Sequence, residues 1–481
     1  MRAAVLAALL LTASTVPALA EPVPQMLSRP TQLDPAWQAK SRALFKQLIE
    51  IPSVEGRGNV PEVAAALADA LKAGGIPASD IHIMPYEGRT GDHTVALIAR
   101  WRSPHATKKP MMLLGHMDVV EAKRADWERD PFSFIEEGGY FYGRGTADMK
   151  NGVAATTLAL LKLKAAGFVP DRDIILFYSG DEETDGHGAT LGASKWREWT
   201  DAEFGLNADG GAGAFDRAGN PLGFSVTTAE KTFQTYFFTA RNRGGHSSRP
   251  RPDNAIYDLA DAIEKLRNHR FTPMQNEVTR AYFTARAKQE GDSALGREMR
   301  AWLANPADGK AADAIEASDT EVGITRTRCV ATMLEAGHAD NALPQSAVAT
   351  VNCRIFPGVT TAAVRDELQA LAGPKVAVTL DPRFLGETTP ASPLRPDVMG
   401  AVRTAVGKIY GPSMPIIPAM STGASDGSFF RAKGIPVYDI DGSWGISPDD
   451  ERMHGLNERT PVRAFYDDVV YWETIVKTLA S

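Results

Sequence analysis

Short, continuously apolar segments alternate with helical segments in the first half of the chain, and this alternation limits the fold more than any other feature. The segments 111–115, 174–179 and 204–208 have the composition of strands that are buried on both faces. Helical periodicity separates the first two, most clearly over 153–166, where Gly167 ends the pattern. The order predicts an α/β fold with a doubly wound, mostly parallel sheet.

A second order of elements begins near Thr228. The pattern predicts strand, helix, strand, strand, helix and strand over 232–241, 253–267, 325–334, 347–355, 360–372 and 376–380 in turn. This β-α-β-β-α-β order is typical of a smaller α+β domain, the split βαβ sandwich. Asp253 is the expected N-cap of the first helix, and the polar, Ala-rich segment 272–319 is interpreted as a helical insertion.

The α/β pattern resumes after this unit, so we expect one discontinuous domain, 36–227 and 383–481, with residues 228–382 inserted as a second. The chain has 481 residues, and 43% of them are hydrophobic, which is enough for a core in each domain. Its 42 Gly and 31 Pro are ordinary and exclude the collagenous and disordered classes. The net charge is -7 and the basic residues are scattered, so neither nucleic acid nor an anionic membrane is an expected partner.

Residues 1–20 have the pattern of a secretion signal. Met1 and Arg2 precede the apolar run Ala3–Leu11, and Ala18-Leu19-Ala20 has the small residues of a signal peptidase site. A membrane anchor is the alternative, but the run is shorter than the ~20 residues that a spanning helix needs. The sequence therefore predicts a cleaved signal and a mature protein that is periplasmic or secreted, without membrane attachment.

The two cysteines, Cys329 and Cys353, fall in the two middle predicted strands of the second unit. A cross-strand disulfide is geometrically feasible there, and two buried thiols are an equal alternative. An exported protein meets an oxidising environment, but the sequence leaves the choice open.

Potential metal ligands follow the ends of predicted strands, where ligands bind in open α/β sheets. His116 and Asp118 come after the strand 111–115 and share a face of an extended chain. Asp148 lies in the Gly-rich loop 143–152, which lacks the glycine spacing of a phosphate-binding loop. The remaining candidates are the four carboxylates of 181–185, Asp209 after the strand 204–208, and the late His454.

Each of these clusters has a plainer interpretation by itself, such as an exposed acidic turn or a surface histidine. Together, two His and several carboxylates suit a pair of zinc ions that share a bridging carboxylate. A hydrolase built in this way would polarise an amide carbonyl, and it would need a carboxylate base close to the attacking water.

A competing motif is the segment Gly423–Gly427, which matches the G-x-S-x-G turn of serine hydrolases around Ser425. His454 follows it in the expected order. However, Pro415 and Pro418 interrupt the segment before it, so no clean strand is predicted to lead into the turn. We therefore interpret the turn, including Gly423, as one that presents backbone N–H groups to a substrate.

The motifs resemble those of the co-catalytic zinc peptidases and deacylases, which include carboxypeptidases G and S, carnosinase, aminoacylase, acetylornithine deacetylase and succinyl-diaminopimelate desuccinylase. The resemblance extends from about Leu44 to Glu458 and keeps the family's order and spacing. It implies that the discontinuous domain is catalytic and holds two zinc ions per chain, with cobalt or manganese as feasible substitutes. The implied ligands are His116, Asp148 and Asp209 for one ion and Asp148, Glu183 and His454 for the other.

The resemblance also assigns roles around the ions. Glu182 is the implied general base, and Asp118 is implied to orient His116. A cis peptide bond is implied after Asp148. Many members have Glu where this chain has Asp209, which leaves the spacing and the identity of the metal open.

In the inserted domain, the resemblance implies a lid and a dimerisation surface. His246 matches a histidine that reaches the partner subunit's active site and stabilises the oxyanion, although alone it would be read as a solvated loop residue. Asn341 and Arg354 match lid residues that hold the substrate's free carboxylate. An ion pair within the lid is the alternative for Arg354. A homodimer through the inserted domain is expected, but some relatives are monomers and the insertion 272–319 could cover that surface.

The function that follows is an exported zinc-dependent hydrolase of the carboxypeptidase or dipeptidase type, which cleaves an amide bond next to a free carboxylate. The expected partner is therefore a small peptide or an N-acyl amino acid. A deacylase of N-acyl amino acids would use the same residues and stays open. A serine hydrolase using Ser425 and a non-enzymatic periplasmic binding protein are the alternatives from other classes.

Overall fold

A computed structural model describes residues 23–88, 91–383 and 386–481. The predicted secretion signal, 1–20, lies outside these residues. Within the described ranges, every helix is too short or too polar to cross a lipid bilayer.

The strands of the described residues are, in chain order, β1 (Ile81–Glu87), β2 (His93–Trp101), β3 (Met111–His116), β4 (Ile135–Glu137), β5 (Tyr140–Tyr142), β6 (Ile174–Ser179), β7 (Phe204–Asn207), β8 (Gly213–Phe215), β9 (Pro221–Glu230), β10 (Thr232–Arg241), β11 (Gly245–His246), β12 (Arg328–Ala336), β13 (Ala342–Leu343), β14 (Ser346–Ile355), β15 (Val376–Leu380), β16 (Ile416–Ser421), β17 (Val437–Asp439), β18 (Trp444–Ile446) and β19 (Arg459–Pro461). The α-helices are α1 (Val23–Ser28), α2 (Pro35–Ile49), α3 (Val60–Ala73), α4 (Lys150–Ala165), α5 (His187–Gly192), α6 (Arg197–Thr200), α7 (Ala255–Asn268), α8 (Glu277–Glu290), α9 (Ala294–Ala304), α10 (Gly309–Ile315), α11 (Thr361–Ala372), α12 (Pro396–Tyr410), α13 (Gly427–Ala432) and α14 (Val462–Leu479).

The large sheet has the strand order β1-β2-β6-β3-β7-β17-β9-β8-β18, with β16 paired to β9 outside this path. Its centre, from β6 through β3 and β7 to β17, is parallel. Neighbouring residues of β3 point to opposite faces: Leu113 packs in the core with α4 and α14, while Met112 and Leu114 pack in the core with α5 and α13. Helices therefore cover both faces, and the predicted doubly wound α/β fold is confirmed.

The small sheet has the order β12-β14-β10-β15 and is antiparallel, with α7 and α11 packed against it. Leaving aside the two-residue strands β11 and β13 and the inserted helices α8 to α10, its elements follow the predicted β-α-β-β-α-β order. The predicted N-cap of α7 is wrong by one residue. Asn254 accepts the N–H of Ile256 at 2.8 Å, whereas the Asp253 carboxylate pairs with Arg251.

Strand β16 contradicts the prediction that no clean strand leads into the turn at Gly423. It forms despite Pro418 because it pairs with β9 alone, and a strand with a single partner tolerates a residue without an N–H. Strands β1 and β9 were also absent from the predicted order.

Three helices, α8 to α10, occupy the segment that was interpreted as an insertion. Their apolar side chains form one core around Trp302, and this core includes Ala229 and Met420 from the large sheet and Phe356 from the end of β14. The insertion is therefore packed at the junction of the two sheets.

Cys329 and Cys353 face each other across β12 and β14 and are joined by a disulfide. Of the two alternatives left open by the sequence, the structure has the cross-strand pair.

Candidate active site

Three neighbouring parallel strands of the large sheet bring the first polar side chains together. His116 is the last residue of β3, Glu182 and Glu183 follow β6, and Asp209 follows β7. Because β3 lies between β6 and β7, their carboxyl ends open on the same edge of the sheet. The topology thus explains why residues far apart in sequence share one site.

The His116 side chain is buried and has a fixed orientation. Its Nδ1 donates to the backbone carbonyl of Asp118 at 3.0 Å, so Nε2 carries the lone pair. Nε2 lies 3.3 Å from Asp148 Oδ1 and 3.7 Å from Asp209 Oδ1. The imidazole therefore presents a ligand atom to two carboxylates.

Asp148 lies between two histidines. Its second oxygen, Oδ2, is 3.1 Å from His454 Nε2, which is also 2.9 Å from Glu183 Oε2. The peptide bond between Asp148 and Met149 is cis, as the resemblance implied. One carboxylate thus faces two separate groups of ligand atoms, which is the arrangement of a bridging ligand.

The donor set fits two divalent cations. The ligand atoms of His116, Asp148 and Glu183 lie within 4.8 Å of one another, as do those of His116, Glu182 and Asp209. Zinc with ligands at about 2.0–2.2 Å holds them at separations of this size, and His nitrogen with carboxylate oxygen is a donor set that zinc accepts. His116 Nε2 belongs to both groups and can bind only one ion. A second ion would be held by Asp148, Glu183 and His454, whose Nε2 lies 3.1 Å from Asp148 Oδ2 and 2.9 Å from Glu183 Oε2. The residues therefore fit a dinuclear metal site.

Electrostatics favour the same conclusion. Burial, together with the charge of Asp209, raises the pKa of Glu182 well above its usual range, and burial raises the pKa of Asp209 to about 6. Hydrogen bonds to Asp148 and Glu183 raise the pKa of His454 to about 10. So many buried carboxylates repel one another until positive charge is brought among them.

Asp118 holds two parts of the site in place. Its carboxylate accepts the backbone N–H groups of Glu182 at 3.2 Å and Glu183 at 2.9 Å, and one of its oxygens is 3.4 Å from His116 Nδ1. Asp118 therefore positions the segment that carries Glu182 as well as the histidine that it was expected to orient.

Glu458 is a residue whose role the sequence analysis missed. Its buried Oε1 accepts the N–H groups of Gly145, Ala147 and Asp148 at 2.8–3.1 Å, while Oε2 accepts from Arg144 Nη1 at 2.5 Å. The segment that carries His454 is thereby bonded to the loop that carries Asp148. The only signal in the sequence was the position of Glu458 four residues after the late histidine.

A cavity of about 890 Å³ extends from this cluster to the small sheet. Its lining includes Glu182, Glu183 and His454 from the large-sheet domain and Arg354 of β14 from the small sheet. Gly423 also lines the cavity, but its N–H donates to Ser421 Oγ at 2.9 Å and is not directed at a substrate in this conformation. The cavity joins the predicted metal ligands to one predicted carboxylate-binding residue.

His246 and Asn341 lie elsewhere. They belong to the ribbon of β11 and β13 and its turn, are exposed, and are absent from the described residues that line the cavity. Ser248 N–H donates to His246 Nδ1, which leaves Nε2 as the protonated donor of the neutral imidazole. Neither residue completes the site of its own chain.

Among the described residues, no general base contacts the Ser425 hydroxyl. Its Oγ accepts from Asn207 Nδ2 at 3.1 Å and from Gly427 N at 3.2 Å, while His454 contacts Asp148 and Glu183 instead. The geometry does not support a serine nucleophile.

Comparisons with known proteins agree with this arrangement. Residues 112–478 match the model of the family described as peptidase family M20/M25/M40. The chain is 30% identical to the N-fatty-acyl-amino acid synthase/hydrolase PM20D1 of Xenopus tropicalis over 73% of this chain and 68% of that protein. It is 25% identical to a probable carboxypeptidase S-like 2 of Dictyostelium discoideum over 79% and 74% of the two chains. The fold resembles that of an M20 family metallo-carboxypeptidase from Sulfolobus solfataricus with a TM-score of 0.67 and 19% identity, over 92% and 99% of the chains.

Proposed function

Because the chain belongs to peptidase family M20/M25/M40, we propose that it is an exported zinc-dependent hydrolase that cleaves an amide bond next to a free carboxylate. The observation that carries this proposal is that Glu182, the metal ligands Glu183 and His454, and Arg354 line one cavity. A guanidinium binds a carboxylate in a bidentate manner and would place the adjacent amide bond near Glu182.

The proposed reaction assigns a separate task to each residue. When bound, two zinc ions would polarise the amide carbonyl and acidify the attacking water. Glu182 accepts the proton of that water on its carboxylate and delivers it to the nitrogen of the leaving amine. The Asp118 carboxylate keeps Glu182 in place by accepting the backbone N–H of Glu182. Arg354 holds the substrate carboxylate.

Two substrate types fit this geometry. The carboxypeptidase or dipeptidase type is supported by the carboxypeptidase S-like relative, and a deacylase of N-acyl amino acids is supported by the N-fatty-acyl-amino acid hydrolase relative. Phe233 and Phe429, which line the cavity, offer an apolar surface to either a side chain or an acyl chain.

Export is proposed from the signal pattern of residues 1–20. The disulfide between Cys329 and Cys353 supports it, because such bonds persist in oxidising compartments.

A homodimer through the small sheet is also proposed. Strand β12 is an edge strand with exposed apolar side chains: Val330 is 59% exposed, Met333 61% and Leu334 63%. A second copy would cover this edge, and the partner's ribbon would supply the His246 Nε2–H donor that each cavity lacks in its own chain.

The experiment measures zinc content and the hydrolysis of a panel of dipeptides and N-acyl amino acids before and after chelation. We expect close to two zinc ions per chain and activity that a chelator removes and zinc restores. Glu182→Gln should keep its zinc and lose turnover by a factor of 10² or more, whereas Glu62→Gln on the exposed first turn of α3 should not. Near-normal turnover of a zinc-loaded Glu182→Gln protein would overturn the role of Glu182.

A further inference from the structure

The cavity that contains Glu182, Glu183 and His454 is also lined by a buried lysine. Lys231 lies between β9 of the large sheet and β10 of the small sheet, lines the cavity and is 1% exposed. Its Nζ donates to the carbonyl of Arg326. Within the described residues, no carboxylate lies within ion-pair distance of this ammonium group.

Arg354 of β14 is a second cation that lines the same cavity. Its guanidinium lies over the ring of Phe233 at 4.9 Å, and among the described residues it too has no carboxylate within 4 Å. Burial lowers its pKa. Two cations thus line the cavity without a protein counter-ion.

The arginines near Lys231 and Arg354 each form an ion pair with a carboxylate, whereas Lys231 and Arg354 do not. Arg328 pairs with Glu316 at 2.6 Å, and Arg326 pairs with Asp313 at 2.9 Å. Arg383, which also lines the cavity, pairs with Asp381 at 2.6 Å. The local excess therefore comes from Lys231 and Arg354.

Lys231 is buried and Arg354 is half-buried, and positive charges without partners in such places are costly. A ligand that brings two negative charges removes that cost. The pKa of Lys231 reflects the same imbalance. Burial lowers it to about 7, and the charges of Arg328 and Arg354 lower it further against the opposing effect of Glu316. An added carboxylate would favour the protonated lysine.

We infer that the cavity selects substrates whose leaving residue is acidic, so that Arg354 binds the α-carboxylate and Lys231 binds the side-chain carboxylate of Asp or Glu. The inference rests on the proposed function and adds a substrate class to it. It makes Lys231 a specificity-determining residue.

The test compares pairs of substrates that differ only in charge. We expect kcat/KM at pH 7 to be at least tenfold higher for N-acetyl-glutamate than for N-acetyl-glutamine, and likewise for the aspartate and asparagine pair. Lys231→Met should bring this ratio close to one, whereas Lys231→Arg should keep most of it. Lys46→Met is the matched control, because this lysine pairs with Glu50 at the exposed end of α2 and neither residue lines the cavity, and it should leave the ratio unchanged.

Calorimetric binding of the products provides a second measurement. The zinc-loaded protein should bind L-glutamate at least tenfold more tightly than L-glutamine, and Lys231→Met should remove the difference. If the wild-type protein shows equal kcat/KM for the charged and neutral substrates of a pair, or equal affinity for L-glutamate and L-glutamine, the inference is overturned. A ratio that Lys231→Met leaves intact would instead mean that Lys231 is structural and would also overturn it. Failure of the proposed function is distinct, since then neither member of a pair is hydrolysed and chelation changes nothing.

Discussion

Glu458 illustrates how one buried side chain can determine the geometry of a site that it does not enter. Replacing it with Gln keeps one acceptor oxygen for the loop of Asp148 but directs an NH₂ group at Arg144. We expect Glu458→Gln to weaken zinc binding by about 10–100-fold, since partners that orient ligands have effects of this size. Zinc affinity measured by chelator competition checks this, with Glu473→Gln on α14, which pairs with Lys162, as the control. Unchanged zinc affinity would contradict the positioning role.

Lys231 gives a prediction about pH. Its pKa is about 7 in the folded chain and about 10.4 in an unfolded one, so between these values the unfolded chain binds more protons and stability rises with pH. Glu316, Arg328 and Arg354 are the charged groups around it. From pH 7 to pH 9 the wild-type protein should gain about 2 kcal/mol of unfolding free energy relative to Lys231→Met. Urea unfolding at both pH values measures this difference, and parallel pH profiles would contradict it.

At the scale of elements, the helices α8 to α10 join the two sheets through one apolar core. Trp302 is at the centre of that core and contacts Phe283 edge to face at 5.1 Å. Trp302→Ala should cost about 3–5 kcal/mol of unfolding free energy and raise KM more than it lowers kcat, because the junction beside the cavity loosens. Trp37→Ala, at a half-buried side chain on the edge of the large core beside Lys40, should cost less in thermal unfolding experiments. If both variants lost the same unfolding free energy, helices α8 to α10 would not be supporting the junction between the two sheets.

The elements also separate what the sequence could predict from what it could not. The buried strands β3, β6 and β7 were predicted because each is a short apolar run, and the ligand clusters were found because they follow these runs. Strand β16 was missed because Pro418 is compatible with a strand only when the strand has a single partner, which is a fact of tertiary structure. The roles of Glu458 and Lys231 depend on contacts between distant segments and left no periodic signal.

For the whole molecule, the exposed position of His246 predicts that two chains cooperate in catalysis. His246→Ala and Glu182→Gln should each be nearly inactive alone. When equal amounts are mixed and exchange subunits, the His246→Ala protomer of a mixed dimer keeps its base and receives the His246 of the partner subunit. About half of the dimers are then mixed and each has one complete site, so activity should return to about a quarter of the wild-type level. Light scattering should show a dimer that Leu334→Glu on β12 dissociates. A monomeric wild-type protein, or a mixture that stays inactive, would contradict the shared site.

The bond between Glu458 and the Asp148 loop spans 310 residues of sequence. A ribosome that has just passed β7 and reached Asp209 has therefore produced His116, Asp148 and Asp209 but not the segment that fixes them. Until His454 and Glu458 emerge, a nascent or truncated chain has only part of a metal site, and the finished hydrolase cannot act before its own synthesis is nearly complete. In the proposed exported protein, this delay would keep amide hydrolysis away from the peptides of the compartment in which the chain is made.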